Sequence, residues 1–172
     1  MSFAVELTSL EAWIFLPLIV PVGLWAIATD LKFMAIRNLA VLALLAGFAI
    51  LGPFALPFDA YLWRYAHFAV VLAIGFLLWS FPGIGFGAGD AKFAAAIAPF
   101  VALGDWSLFL LILSGTSILG VILHRVAKRM PVVVNATPGW VSWEDGKAFP
   151  FGVSLASALI LYIVLGLSQT GL

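Results

Sequence analysis

Asp30 directly follows the apolar run Trp25-Ala26-Ile27-Ala28-Thr29, and Asp90 closes the stretch Pro82-Gly83-Ile84-Gly85-Phe86-Gly87-Ala88-Gly89. A charged side chain within a membrane helix costs about 2.5–3.5 kcal/mol on insertion scales, so such residues tend to face a wet cavity. Taken singly, both read as interfacial residues, with Asp90 the N-cap of the helix it opens. Taken as a pair, they suit hydrolysis of a peptide bond without metal or covalent intermediate. One carboxylate, ionised, takes a proton from water; the other, protonated, polarises the scissile carbonyl and then protonates the leaving amine. The proton affinities must differ, as they do when two carboxylates share a site. Helix dipoles add a bias. Asp90 heads a helix and Asp30 ends one, which makes Asp90 the readier base and Asp30 the readier acid.

Other hydrolytic chemistries fail on residue types and spacing. The chain has no cysteine, which removes disulfides, thiolate zinc sites and thiol nucleophiles. A zinc protease needs a His-Glu-x-x-His pair, but His67 and His124 fall in different spans. Ser114 and His124 share a span yet sit about 15 Å apart along it, too far for a nucleophile and its base. No metal or organic cofactor is implied. Gly87 and Gly89 let the backbone turn sharply and approach a bound strand, although a flexible interhelical loop would use them equally. Their spacing is not that of a dinucleotide fingerprint. Lys92 is placed to stabilise an ionised Asp90 or to snorkel to the interface. Asn38 either orients Asp30 or, more simply, caps the second span. Pro150 and Gly152 shape the entry of the last one.

The elements that must position these residues are membrane helices. Of 172 residues, 65% are hydrophobic and only 9% charged, with a mean hydropathy of +1.19. A soluble domain carries about 25% charged residues to coat its surface, so the bilayer must be the solvent here. Net charge is zero, and nothing points to nucleic acid. The hydrophobic runs predict an all-α, polytopic membrane protein forming a single transmembrane domain over residues 1–172, with six transmembrane helices. The spans are roughly Leu10–Thr29, Leu39–Leu56, Tyr65–Phe81, Ala91–Leu103, Trp106–Leu123 and Phe149–Leu167. The fourth would cover only about 20 Å and must be sheltered by its neighbours. No basic residue precedes Lys32, so the first run reads as a retained span rather than a secretory signal. The polar segment from about His124 to Ala148 is too short for a soluble domain.

With the N-terminus outside, Lys32, Arg37, Lys92, Arg125, Lys128, Arg129 and Lys147 face the cytoplasm and only Arg64 lies opposite. Seven of eight basic residues on one side is a strong positive-inside bias. The same topology puts Asp30 and Asp90 on one face, although neither entered the count.

Gly87-Ala88-Gly89-Asp90-Ala91-Lys92 is similar to the Gly-x-Gly-Asp-x-Lys signature of the type IV prepilin peptidase family of membrane aspartyl proteases. Asp30 followed by Ile36-Arg37-Asn38 resembles that family's Asp and downstream Ile-Pro-Asn, with Arg37 standing where proline is common. Pro150-Phe151-Gly152 resembles the Pro-x-Gly that opens its last span. The presenilin-like proteases share Gly-x-Gly-Asp but expect a Tyr-Asp pair, whereas Asp30 follows Thr29. The cytoplasmic region with paired Cys-x-x-Cys elements, found in the larger methylating members, is missing. The chain therefore resembles the small, peptidase-only branch, which includes the Flp/Tad-type and preflagellin peptidases. The resemblance implies that Asp30 and Asp90 are catalytic. It implies a prepilin or pseudopilin substrate with a short basic leader, cut on the cytoplasmic side of the inner (plasma) membrane before its hydrophobic helix. Glu144 and Asp145 could attract that leader, though a solvated loop explains them more simply. The implied partners are the substrate helix and membrane lipid, with a homo-oligomer left open. The contrasting expectation is a transporter or assembly component whose aspartates relay ions or protons.

Overall fold

Thr8 starts the first helix: its hydroxyl accepts the Glu11 backbone N–H at 3.2 Å and donates to the Glu11 carboxylate at 3.1 Å. In the computed structural model, which describes residues 5–81, 86–144 and 149–168, that helix is α1 (Ser9–Phe33). Pro17 and Pro21 lie inside it without ending it, as packed neighbours in a membrane bundle allow. Its buried residues include Ala12, Phe15, Ile19, Gly23, Ala26 and Asp30, in steps of three or four that mark one helix face. Asp30 thus continues the apolar stripe that packs inward. The helix stops at Met34, in the left-handed region with φ 52°, whose N–H bonds the Asp30 carbonyl at 2.8 Å.

The other helices are α2 (Asn38–Ala55), α3 (Phe58–Ser80), α4 (Ala88–Ile97), α5 (Trp106–Lys128), the short α6 (Pro131–Ala136) and α7 (Val141–Glu144), and α8 (Phe151–Leu167). There is no strand among the described residues. Among the described residues, four helical stretches are long and apolar enough to cross a membrane: Ser9–Phe33, Asn38–Ala55, Phe58–Ser80 and Leu103–Lys128. α8 is equally apolar but only 17 residues long. The chain is an all-helical membrane protein.

The expected third span changes most. It begins at Phe58, not Tyr65, because Arg64 is inside the helix rather than in a loop. Arg64 is buried there, donating to the Pro99 carbonyl at 3.1 Å and to Glu11 at 3.4 Å. The expected fourth span is a ten-residue helix followed by a 3₁₀ turn, Ala98–Phe100, and both are largely buried by neighbours. The polar segment after α5 holds the two short helices α6 and α7. Residues 82–85 of the glycine-rich stretch, with Asp145 and Lys147, lie outside the described residues.

α8 is the central helix, with nine of its residues buried and α1, α4 and α5 packed around it. Close approach to α1 depends on small side chains. A Cβ at Gly23 would come within 2.9 Å of Ile160, and one at Gly166 would collide with Leu7, just before α1, and come within 3.2 Å of Ala12. α3 meets α4 in the same way, Gly75 against Ala91. By contrast, Trp63, Phe54 and Leu103 are each more than 70% exposed. Such an outer surface would be untenable in water and is the ordinary lipid-facing surface of a membrane bundle.

Candidate active site

Both aspartates face helix N-termini at the same end of the bundle, Asp30 from the last turn of α1 towards the start of α8 and Asp90 in the first turn of α4. Asp30, 4% exposed, sits over the first turn of α8: its Oδ2 would lie 2.7 Å from a Cβ at Gly152. The Gly152 and Val153 amides face the carboxylate, yet Oδ2 itself is buried with no hydrogen-bond partner among the described residues. Pro150 is the N-cap of α8 and has no N–H of its own, so the amides that follow it form the positive end of the helix.

Asp90 is half-buried at the third position of α4. Gly87, not Asp90, is the N-cap, and the Asp90 carboxylate folds back towards the Gly87 amide, as an acidic residue at this position does in a capping box. Asp90 lies within electrostatic reach of Asp30. Ile36, in the connection between α1 and α2, fills the space between the two helix starts. Its Cδ1 would lie 2.6 Å from a Cβ at Gly152, and its backbone N 3.9 Å from one at Gly89.

Six of the residues singled out by type and spacing are therefore gathered at one end: Asp30, Gly87, Gly89, Asp90, Pro150 and Gly152. Two stand apart. Lys92 is exposed and forms no ion pair with Asp90. Asn38 is exposed and is the first residue of α2, where Arg37 is the N-cap and no side chain caps the helix, so the capping role does not hold.

Two further expectations need correction. The glycines were expected to allow a sharp turn, but neither Gly87 nor Gly89 has positive φ; Gly87 is extended and Gly89 already helical. Space explains Gly87 better, since a Cβ there would come within 2.8 Å of Asp90 Oδ2. The dipole argument also changes. Asp30 does end α1, but it faces the positive end of α8 as Asp90 faces that of α4, so dipoles no longer separate an acid from a base.

Sequence reasoning missed a second polar cluster at the far end of the bundle. Asp105, 3% exposed, accepts from the Glu6 and Leu7 backbone amides at 2.9 and 3.1 Å and from the Tyr162 hydroxyl at 2.6 Å. The Ala102 amide donates to Tyr162 at 3.1 Å and that of Gly104 to Glu6 at 2.8 Å. Arg64 and Glu11 lie close by in space, Arg64 through its bond to the Pro99 carbonyl. The one available signal was a set of charges, Glu11, Arg64 and Asp105, too close to apolar runs to be solvated freely. Among the described residues, no three His, Asp or Glu side chains gather as a metal-holding group.

Chemically, two carboxylates in mutual electrostatic reach can divide acid and base roles if they hold one proton between them. No curated protein and no solved structure matches the chain significantly. The family model described as the type IV leader peptidase family matches residues 17–124, a stretch that holds both aspartates and leaves Pro150 and Gly152 outside. Since that match covers more than half of the sequence, the chain belongs to the type IV leader peptidase family.

Proposed function

We propose that this protein is a prepilin leader peptidase, an aspartyl endopeptidase that removes the leader of prepilin-like substrates. The observation that carries the reading is the approach of Asp30 to Asp90 at the starts of α8 and α4, in a chain of a leader peptidase family. In the mechanism that follows, the pair holds one proton. The ionised member takes a proton from a water molecule, whose oxygen attacks the scissile carbonyl. The protonated member donates to the carbonyl oxygen as the tetrahedral intermediate forms. The intermediate then collapses, the C–N bond breaks, and the proton taken from water passes to the leaving amine. Gly87 and Gly152 leave the two carboxylates the room they occupy, and Pro150 starts the helix whose first amides face Asp30. Gly89, Lys92 and Asn38 belong to the resemblance and contribute less by geometry.

The topology is six crossings, with α4 and its following turn sheltered among longer helices and α8 the last. The N-terminus is outside, and the aspartates face the cytoplasm of the inner membrane, where seven of the eight basic residues lie. The substrate is a prepilin or pseudopilin, whose basic leader approaches the acidic pair from the cytoplasm. The test is co-expression with a candidate prepilin, following leader removal by mass. Wild type cuts, and Asp30→Asn and Asp90→Asn each abolish cutting while still accumulating in the membrane. Leader removal that persists in either variant rejects the pair.

A further inference from the structure

α3 packs on α4 and α5 on α8 rather than on each other, and the space left between α3 and α5 is a groove of about 970 Å³. Val70 and Ile74 line one wall and Leu110 and Leu113 the other, while Ala94 and Ile97 of α4 form the floor. Val70, Ile74 and Leu110 are each more than half exposed, so the groove is open to the lipid side. Its polar groups, among them Arg64 and Glu6, sit at the Asp105 end. From there to Ala94 the lining is apolar.

The groove leads to the acidic pair. Asp90, Ala94 and Ile97 stand at i, i+4 and i+7 of α4 and so share one helix face. Asp90 lies one turn, about 5.4 Å, beyond the last floor residue. A helix of about 10 Å diameter would fill the groove for roughly two turns. Building on the leader peptidase reading, we propose that the apolar helix of the substrate lies in this groove, parallel to α4, with its N-terminal end delivered to Asp90. The polarity fits on both counts: an apolar segment meets the apolar walls, and the basic leader before it meets the two carboxylates. A lipid acyl chain, or a second copy of this chain, would fill the same walls but would bring no peptide bond to Asp90.

The absence of native cysteine permits a direct test. The probe is a polypeptide with a basic leader, an apolar helix and one cysteine about seven residues into that helix, roughly two turns from the scissile bond. In an Asp90→Asn background, which holds the probe uncut, Val70→Cys and Leu110→Cys each form a disulfide with it under copper phenanthroline. Ile50→Cys and Leu119→Cys, exposed outside the groove, do not. Crosslinking that favours the latter two positions overturns the proposal, as does a Val70→Cys disulfide between two copies of the enzyme without the probe. In the otherwise wild-type protein, Val70→Trp raises KM about tenfold with kcat unchanged, the effect of 1.4 kcal/mol of lost binding. A fall in kcat at unchanged KM speaks against the groove, and if Val70→Trp does not accumulate, Leu110→Trp replaces it. Failure of the wild type to cut the probe counts against the peptidase reading, whereas the crosslinking pattern is read without cleavage.

Discussion

Gly152→Ala tests the geometry of the acidic pair most sharply. The added Cβ would stand 2.7 Å from Asp30 Oδ2, 2.6 Å from Ile36 Cδ1 and 2.8 Å from Ile36 Cγ1. For ordinary contact at about 3.4 Å, the carboxylate oxygen must retreat by roughly 0.7 Å, and Ile36 by a similar distance. Both are side-chain ends, so the fold survives, at an overpacking cost of about 1–3 kcal/mol. Activity is less tolerant, because a misplacement of about 1 Å at a reacting group costs on the order of 100-fold. Leader removal by Gly152→Ala should therefore fall about 10- to 100-fold in kcat, with the protein still folded. The assay is the initial rate of cleavage in proteoliposomes, set beside a thermal melt of the same preparation. Gly89→Ala is the internal control. Its Cβ meets nothing nearer than 3.9 Å, and alanine is the better helix former by about 1 kcal/mol, so its rate should stay within about threefold of wild type. A Gly152→Ala enzyme at full rate, or a folded Gly89→Ala enzyme as impaired as Gly152→Ala, would refute the reasoning.

Gly87→Ala, with its Cβ 2.8 Å from Asp90 Oδ2, should also slow cleavage, and more than Gly89→Ala does in the same assay. Arg64→Ala leaves the buried Glu11 without its partner and should cost about 3–5 kcal/mol, read as a lower melting temperature in detergent. The double variant Arg64→Met/Glu11→Gln should recover much of that loss. Tyr162→Phe removes the donor to Asp105 and the acceptor of the Ala102 amide, and should destabilise by about 1–3 kcal/mol in the same melt. Lys92→Met, at an exposed position with no ion pair to Asp90, should leave the cleavage rate unchanged within about twofold.

Much of this site was legible because its residue types are rare in apolar surroundings. Two aspartates and a Pro-x-Gly at the edges of hydrophobic runs could be placed at one end of a bundle by counting basic residues, with no knowledge of packing. Arg64 shows where such counting stops. A basic residue beside an apolar run reads as a loop marker, and only the positions of Glu11 and the Pro99 carbonyl reveal it as a buried member of α3. The same limit affects the dipole argument. Asp30 was assigned the polarity of its own helix, but the nearest helix end is that of α8, about 120 residues later in the chain. Ile36, a plain hydrophobe by type, becomes the spacer between two helix starts for the same reason: its neighbours are distant in sequence.

The hydrogen bonds around Asp105 clamp the residues before α1, the start of α5 and the last turns of α8 at a single point. From Glu11 to Asp30, α1 is then a lever arm of about 28 Å at 1.5 Å per residue. A tilt of only about 2° about that fulcrum would swing the Asp30 carboxylate by about 1 Å, enough to separate aligned from misaligned reacting groups. The stiffness of a joint on the opposite side of the bundle thus sets how steadily the acid pair is held, and a substitution there can be felt in turnover without approaching a substrate.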